Sequence, residues 1–287
     1  MIDKEKFAEL LELLQFSKEG EVYKKSFEKF NCELVADFEE EKLIYPKGLQ
    51  VHSSVVSNFS APENFVVFEC VHRLIEQGYN PKHIELEKEW QIGHSKKGGR
   101  ADIYIKDNED KPIIIIECKT AGREYQRAIN ILEGESSNQL FSYFQQAPDT
   151  KFLALYTSDL IDGKVEYQYY LINVQDNQEL LANNPKLDSY RDAHSVEDKW
   201  RVWRETYDGE YSQKGLFENS EPYRIGKDKF TIDDLKVISQ KEIGEKYHQF
   251  ATILRKYNVS GRENSFDKLV NLLLCKVVDE ISLSAKV

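Results

Sequence analysis

Two short segments place acidic and basic side chains where metal-assisted hydrolysis needs them. Asp102 ends a glycine-rich pentapeptide, and Glu117 follows 15 residues later in the tripeptide Glu-Cys-Lys that ends at Lys119. Residues two apart on a strand leave the same face, so Glu117 and Lys119 project together while Cys118 points to the opposite side. If the two segments form a hairpin, Asp102 faces Glu117. The pattern therefore predicts two carboxylates and one ammonium group at one place.

This set of groups suits the hydrolysis of phosphodiesters. The hard oxygen ligands of Asp102 and Glu117 suit Mg²⁺, with Mn²⁺ as the expected substitute, and the backbone carbonyl of Cys118 is a candidate third ligand. A bound metal ion lowers the pKa of a water molecule and neutralises charge on a phosphate. Lys119 could orient the attacking water or stabilise the developing charge.

The same residues also have ordinary structural interpretations. An acid and a lysine two apart on a strand usually form a solvated face or an ion pair. Here Glu117 and Lys119 end a strand that contains four consecutive isoleucines, where charge is costly unless it is paired or used. Gln139 and Tyr143 are four apart on a predicted helix and share one face. The alternatives are a capping box between Ser136 and Gln139, and core packing for Tyr143.

The net charge of the chain indicates whether it is suited to bind nucleic acid. The chain has 39 basic and 50 acidic residues, a formal net charge of −11. This counts against a protein that coats nucleic acid, but a metal site is itself rich in carboxylates, so a nuclease is not excluded. A surface that meets DNA phosphates needs local bases, and Lys96, Lys97 and Arg100 are the candidate cluster. The alternative interpretation is a solvated loop.

Composition is that of a soluble globular chain. A length of 287 residues allows one large domain or two modest ones. No apolar stretch is long enough to cross a bilayer, and the N-terminus lacks the features of a signal peptide. The four cysteines are widely separated, without zinc-binding spacing, and we expect them to be reduced. These features predict a cytoplasmic protein without a membrane partner.

Regular elements alternate along the middle of the chain. Alternating or continuous apolar runs predict strands, and apolar residues at helical spacing predict helices. The pair Gly98-Gly99 is interpreted as a turn between two strands. Predicted helices cover residues 3–16, 60–77, 123–132 and 136–147, and predicted strands cover residues 84–92, 101–105, 113–119, 152–157 and 167–172. This order predicts an α/β fold with a mixed sheet flanked by helices.

The segments GGRADIYI, IIIIECKTAG and QLFSYF resemble the nuclease domain at the N-terminus of type I restriction R subunits and of fused restriction–modification enzymes. That group belongs to the PD-(D/E)XK superfamily, in a branch with a trailing Q-x-x-x-Y motif. The resemblance covers roughly residues 60 to 175. It implies a restriction-endonuclease-like fold and metal-dependent cleavage of double-stranded DNA. The residues that match its motifs are Asp102, Glu117, Lys119, Gln139 and Tyr143.

The resemblance also implies roles for further residues. In that branch Gln139 and Tyr143 would contact substrate or brace the active site. Some members use a glutamate of the preceding helix as a metal ligand, and Glu63 and Glu69 are the candidates. The alternatives are a capping-box partner of Ser60 for Glu63 and a solvated residue for Glu69.

The chain departs from the family pattern in three respects. Ala101 stands where the superfamily pattern has proline. A GxxxxGK[ST] phosphate loop is missing, so the sequence contains no ATP-driven translocase, and no methyltransferase active site is present.

The sequence suggests four regions. Residues 1–55 are predicted to be a helical N-terminal extension, 56–175 the nuclease domain, 176–235 a polar linker, and 236–287 a helical segment. Residues 264–280 resemble the helix that precedes the catalytic domain of N6-adenine DNA methyltransferases. This suggests the N-terminal part of a nuclease–methyltransferase fusion, with fused or associated methyltransferase and specificity domains as partners. The alternative is an amphipathic helix that packs onto its own domain.

Two other functions compete with the restriction endonuclease. One is a non-catalytic DNA- or protein-binding module that retains the nuclease fold. The other is a repair or recombination nuclease of the same superfamily.

Overall fold

A computed structural model of the protein describes residues 1–92, 96–134, 138–217, 270–271 and 274. The chain divides into two compact units, Met1–Gly226 and Lys227–Val287. In the second unit only residues 270, 271 and 274 are described, and they are helical. The rest of the predicted segment 236–287, with its methyltransferase-like helix, lies outside the described residues.

A six-stranded mixed sheet is the centre of the first unit. The strands in spatial order are β10 (Lys164–Asn173), β9 (Phe152–Ile161), β8 (Pro112–Cys118), β7 (Lys96–Lys106), β6 (Ile84–Ile92) and β5 (Gln50–Val51). β8 is parallel to β9, β5 is parallel to β6, and the other neighbouring pairs are antiparallel. All five predicted strands are present. The four isoleucines of β8 are buried, because this strand lies inside the sheet and is covered on both faces.

Helices cover both faces of the sheet. The side chains of β8 alternate, so that Ile114 and Ile116 join one hydrophobic core and Ile115 joins the other. The first core contains α1 (Lys4–Leu13) and α2 (Pro62–Gln77); the second contains α3 (Arg123–Gly134) and α4 (Gln139–Gln146). The architecture is therefore a mixed sheet flanked by helices, as predicted, and is consistent with a nuclease-like fold. Among the described residues, every helix is too short or too polar to span a bilayer.

Neither of the capping boxes that the sequence suggested, the predicted one at Ser60 and the alternative one at Ser136, caps its helix. The residue that precedes α2 is Ala61, which makes no side-chain cap, and Pro62 fills the first helical position, where its missing N–H costs nothing. At the start of α4 the cap is Asn138, whose side-chain oxygen accepts a hydrogen bond from the backbone of Phe141. Neither Glu63 nor Gln139 is therefore needed as a capping partner.

The prediction of a helical N-terminal extension is wrong beyond α1. The next residues form a four-stranded antiparallel sheet of β1 (Ser17–Glu19), β2 (Val22–Phe27), β3 (Cys32–Asp37) and β4 (Lys42–Ile44). The strands are only three to six residues long and β1 has no apolar residue, so they offer too few positions for a period-two pattern to be recognised. Their buried residues, which include Leu34, pack with Phe7 of α1.

The described part of the predicted linker 176–235 is packed structure. It contains α5 (Gln178–Asn183), α6 (Val196–Arg201) and a π-helical turn at Val202–Thr206. Trp203 is buried against Phe141 of α4, with ring centroids 5.6 Å apart. The prediction failed because single, irregularly spaced aromatic residues anchor this segment and leave no periodic pattern. Residues 218–235 lie outside the described residues.

We expect Trp203→Ala to lower the free energy of unfolding by about 3–5 kcal/mol, because it empties a site in the second core. Urea unfolding followed by circular dichroism measures the change. The control Arg201→Ala removes an exposed side chain with surface ion pairs and should cost less than about 1 kcal/mol. Equal, small costs for both variants would mean that the segment is a loosely attached linker.

Candidate active site

The register of two strands brings the predicted acids together. In the antiparallel pair of β7 and β8, Ile103 lies opposite Ile116. Asp102 and Glu117 occupy the next position on each strand, so the two carboxylates share one face. Asp102 Oδ2 also accepts a hydrogen bond of 2.7 Å from the backbone N–H of Cys118. The hairpin geometry expected from the sequence is therefore present.

Lys119 lies directly after β8, and its side chain contacts the carboxylates of Glu117 and Glu63. Its Nζ atom is 2.6 Å from Glu117 Oε1 and 3.5 Å from Glu63 Oε1. Glu63 belongs to the first turn of α2. The backbone N–H of Lys119 donates to the carbonyl of Tyr156 in β9, which fixes the chain at this point. One ammonium group thus connects acids from a strand and from a helix.

These groups line an open cavity of about 340 Å³. The lining contains four carboxylates but only two cationic groups, so its charge is acidic overall. The lining residues are Glu63, Glu89, Arg100, Asp102, Glu117, Lys119 and Gln139. Glu89 was not predicted. The signal was available, because Glu85, Glu87 and Glu89 alternate along the predicted strand 84–92.

Burial and like charge act together on the two central acids. Burial, with the charge of Glu117, raises the pKa of Asp102 well above its usual range. Burial raises the pKa of Glu117 to about 7, although Lys119 opposes this shift. Burial alone would lower the pKa of Lys119, but the neighbouring carboxylates outweigh it and raise the pKa above its usual value. An additional cation at the cavity would therefore relieve an unfavourable concentration of negative charge.

Gln139 and Tyr143 brace Glu117 from α4. Gln139 Nε2 donates a 2.6 Å hydrogen bond to Tyr143 Oη. The same hydroxyl lies 2.5 Å from the backbone oxygen of Arg100 and 3.0 Å from Glu117 Oε2. The two helix residues therefore extend a hydrogen-bond chain to the carboxylate oxygen of Glu117 that does not contact Lys119.

The ring of Tyr143 fits into a slot formed by Trp90 of β6 and Gly99 of β7. It stacks on Trp90, with ring centroids 5.6 Å apart and planes at 26°. It also meets Gly99, where a Cβ atom would lie 2.5 Å from Tyr143 Cε1. The expected turn at Gly98-Gly99 is wrong, since both residues lie inside β7. Glycine is needed there because the ring approaches the backbone closely.

Of the two helix glutamates, only Glu63 reaches the cavity. Glu69 is fully buried and is not the solvated residue that the sequence suggested. Its carboxylate accepts hydrogen bonds from Arg73 and from the hydroxyl of Tyr156. The hydrogen bonds of Glu69 therefore link α2 to β9 in the core.

The predicted basic cluster is only partly described. Arg100 lines the cavity, and its Nε atom pairs with the buried Glu87 at 2.6 Å. Lys96 and Lys97 lie in β7, paired with residues 92 and 91 of β6. Their side chains lie outside what the structure describes.

The site has donors of the kind that Mg²⁺ requires. Within the described ranges, no three His, Cys, Asp or Glu side chains already surround a point that could hold an ion. Mg²⁺ needs only one or two protein carboxylates and keeps several waters, so Asp102 and Glu117 are sufficient. The buried side chain of Cys118 belongs to the opposite core and offers no thiolate here. The donor set fits a hard cation rather than zinc.

One family model matches the chain. It is described as Type I restriction enzyme R protein N terminus (HSDR_N), and it matches residues 62–158, about a third of the chain. The matched segment runs from the start of α2 into β9 and includes the cavity residues on α2, β7, β8 and α4. No curated protein matches the chain.

We expect Gly99→Ala to lower the free energy of unfolding by about 1–3 kcal/mol, because the new methyl group meets the ring of Tyr143. Chemical unfolding measures this cost. Gly134→Ala is the control, since a Cβ atom there meets nothing within 4 Å. In a Tyr143→Ala background the cost of Gly99→Ala should largely disappear. An unchanged cost in that background would contradict the slot.

Proposed function

We propose that this protein contains a Mg²⁺-dependent endonuclease domain of the PD-(D/E)XK type, which hydrolyses phosphodiester bonds in double-stranded DNA during restriction. The observation that carries the proposal is the meeting of Asp102, Glu117 and Lys119 at one acidic cavity. The match of residues 62–158 to the restriction R protein N terminus supports it.

In this proposal Asp102 and Glu117 hold the cation, and Glu63 adds a third carboxylate at the cavity edge. When bound, Mg²⁺ neutralises charge on the scissile phosphate and lowers the pKa of a water molecule. Mn²⁺ accepts the same oxygen ligands and is the expected substitute. The backbone carbonyl of Cys118 stays a candidate ligand.

Lys119 acts as a proton-bearing donor. The carboxylates around it raise its pKa, so the ammonium group keeps its proton near neutral pH. It therefore orients the attacking water or donates to the oxygen on which negative charge develops, and it does not act as a general base. Its pairing with Glu117 keeps Nζ beside the carboxylate that binds the cation.

Gln139 and Tyr143 position the Glu117 carboxylate and take no part in the chemical step. Burial raises the pKa of Tyr143, so its hydroxyl keeps the proton. The hydroxyl holds one oxygen of Glu117 while Lys119 holds the other. This arrangement fixes the plane of the carboxylate before substrate arrives, and Gln139 fixes the hydroxyl in turn.

DNA approaches a cavity that is acidic without its cation. The lining holds four acidic side chains and only two cationic ones, so we expect the cation to bind before or with the substrate. Arg100 at the cavity and the predicted pair Lys96 and Lys97 are the proposed phosphate contacts. Recognition of a particular sequence is assigned to a fused or associated specificity domain, with a methyltransferase as the proposed partner activity.

Incubation of the purified protein with plasmid DNA and Mg²⁺ or Mn²⁺ should produce nicked and linear products, and EDTA should abolish them. Lys119→Ala and Asp102→Ala should each slow cleavage by at least about 100-fold. The control Lys151→Ala changes an exposed lysine away from the cavity and should cleave at the wild-type rate. Cleavage that survives both cavity variants would refute the assignment, whereas DNA binding without cleavage would favour the non-catalytic module.

A further inference from the structure

A second cavity opens beside the catalytic cavity. It has a volume of about 210 Å³ and shares Glu117, Lys119 and Gln139 with its neighbour. Beyond these residues its walls come from α3, the start of α4 and β9, and they combine five apolar side chains with the polar side chains of Glu124, Arg127 and Asn138. The apolar lining residues are Ala128, Ile131, Leu132, Leu140 and Leu155. The apolar part of this lining offers packing contacts to a ligand that enters past the catalytic residues.

The size and lining suit a single six-membered ring. An apolar cavity of about 150 Å³ in a protein core is large enough to bind benzene. The cavity beside Glu117 is larger, so it has room for a pyrimidine ring with its exocyclic oxygen or amino groups. Apolar side chains pack well against both faces of a base that has left its stack.

Continuity with the catalytic cavity indicates where such a ring would come from. A phosphate bound beside Glu117 and Lys119 is covalently attached to its nucleotide. The base of that nucleotide therefore lies close to the second cavity, which shares these two residues. In an intact duplex that base is stacked and paired, and only an extruded base can enter. We propose that this cavity receives a pyrimidine base extruded from the duplex next to the scissile phosphate, which rests on the proposed nuclease function.

Arg127 at the mouth of the cavity supports this occupant. Its side chain is exposed, lines the cavity and forms no ion pair with any described residue. A guanidinium group offers several donors, which suit the carbonyl oxygen of a pyrimidine or an adjacent phosphate. The amide of Gln139 lies at the junction of the two cavities and limits the path between them.

The proposal has a measurable consequence, because extrusion costs less when the base is already mismatched. A duplex that the protein cleaves is compared with the same duplex carrying one mismatched pyrimidine next to the cleaved phosphate. Wild-type protein should cleave the mismatched duplex with a kcat/KM at least about tenfold higher. Ala128→Trp, which fills the cavity, should lose this preference and should slow cleavage of the matched duplex about tenfold. Asn130→Trp, at an exposed position on the same helix, should behave as wild type.

Two additions keep the test decisive if Ala128→Trp folds poorly. Arg127→Gln changes only the exposed mouth, and it should reduce the mismatch preference while leaving the melting temperature unchanged. In addition, a pyrrolocytosine in place of the proposed base should gain fluorescence on binding with Ca²⁺ in place of Mg²⁺, and this gain should be smaller in Arg127→Gln.

The outcomes separate the two proposals. Cleavage without a mismatch preference, together with wild-type behaviour of Ala128→Trp and Arg127→Gln, overturns the base pocket and leaves the nuclease intact. A protein that neither cleaves nor binds DNA overturns both.

Discussion

The repulsion between two buried carboxylates organises this site. Asp102 and Glu117 occupy adjoining positions of two paired strands, and burial raises the pKa of both. Lys119 compensates only part of the negative charge, since it serves Glu117 and Glu63 at once. A protein gains no stability from such an arrangement, because two buried like charges are costly. The cost is understandable if the cavity exists to hold a cation. Acidic groups with shifted pKa values in a cleft are typical of functional sites.

The rest of the domain keeps those charges in place. The central position of β8 fixes Glu117, and its pairing with β7 fixes Asp102. α4 contributes Tyr143, which is held in its slot by Trp90 and by the absence of a side chain at Gly99. The packing of the aromatic slot is therefore coupled to the orientation of the Glu117 carboxylate. A substitution in the slot should alter that orientation although it removes no charged group.

The sequence predicted those parts of the fold that have a repeating apolar pattern. The strands that carry Asp102 and Glu117, and the helices around them, were found because their periodicity is strong. The strands of the N-terminal sheet were missed because they are too short for a period-two pattern, and the packed segment around Trp203 was missed because a few isolated aromatic residues determine its burial. Helix starts were misplaced because serine, asparagine and proline are nearly interchangeable as local signals. The role of Gly99 depends on a ring that is distant in sequence, and no local pattern indicates such a contact.

Binding of a divalent cation tests the central claim without requiring an active enzyme. Titration of Mn²⁺, followed by electron paramagnetic resonance or calorimetry, should reveal a site in the wild-type protein. Asp102→Asn and Glu117→Gln should each weaken its affinity by at least about tenfold. Asp149→Asn removes an exposed carboxylate away from the cavity and should leave the affinity unchanged. Equal Mn²⁺ affinity in all four proteins would contradict a shared cation site at Asp102 and Glu117.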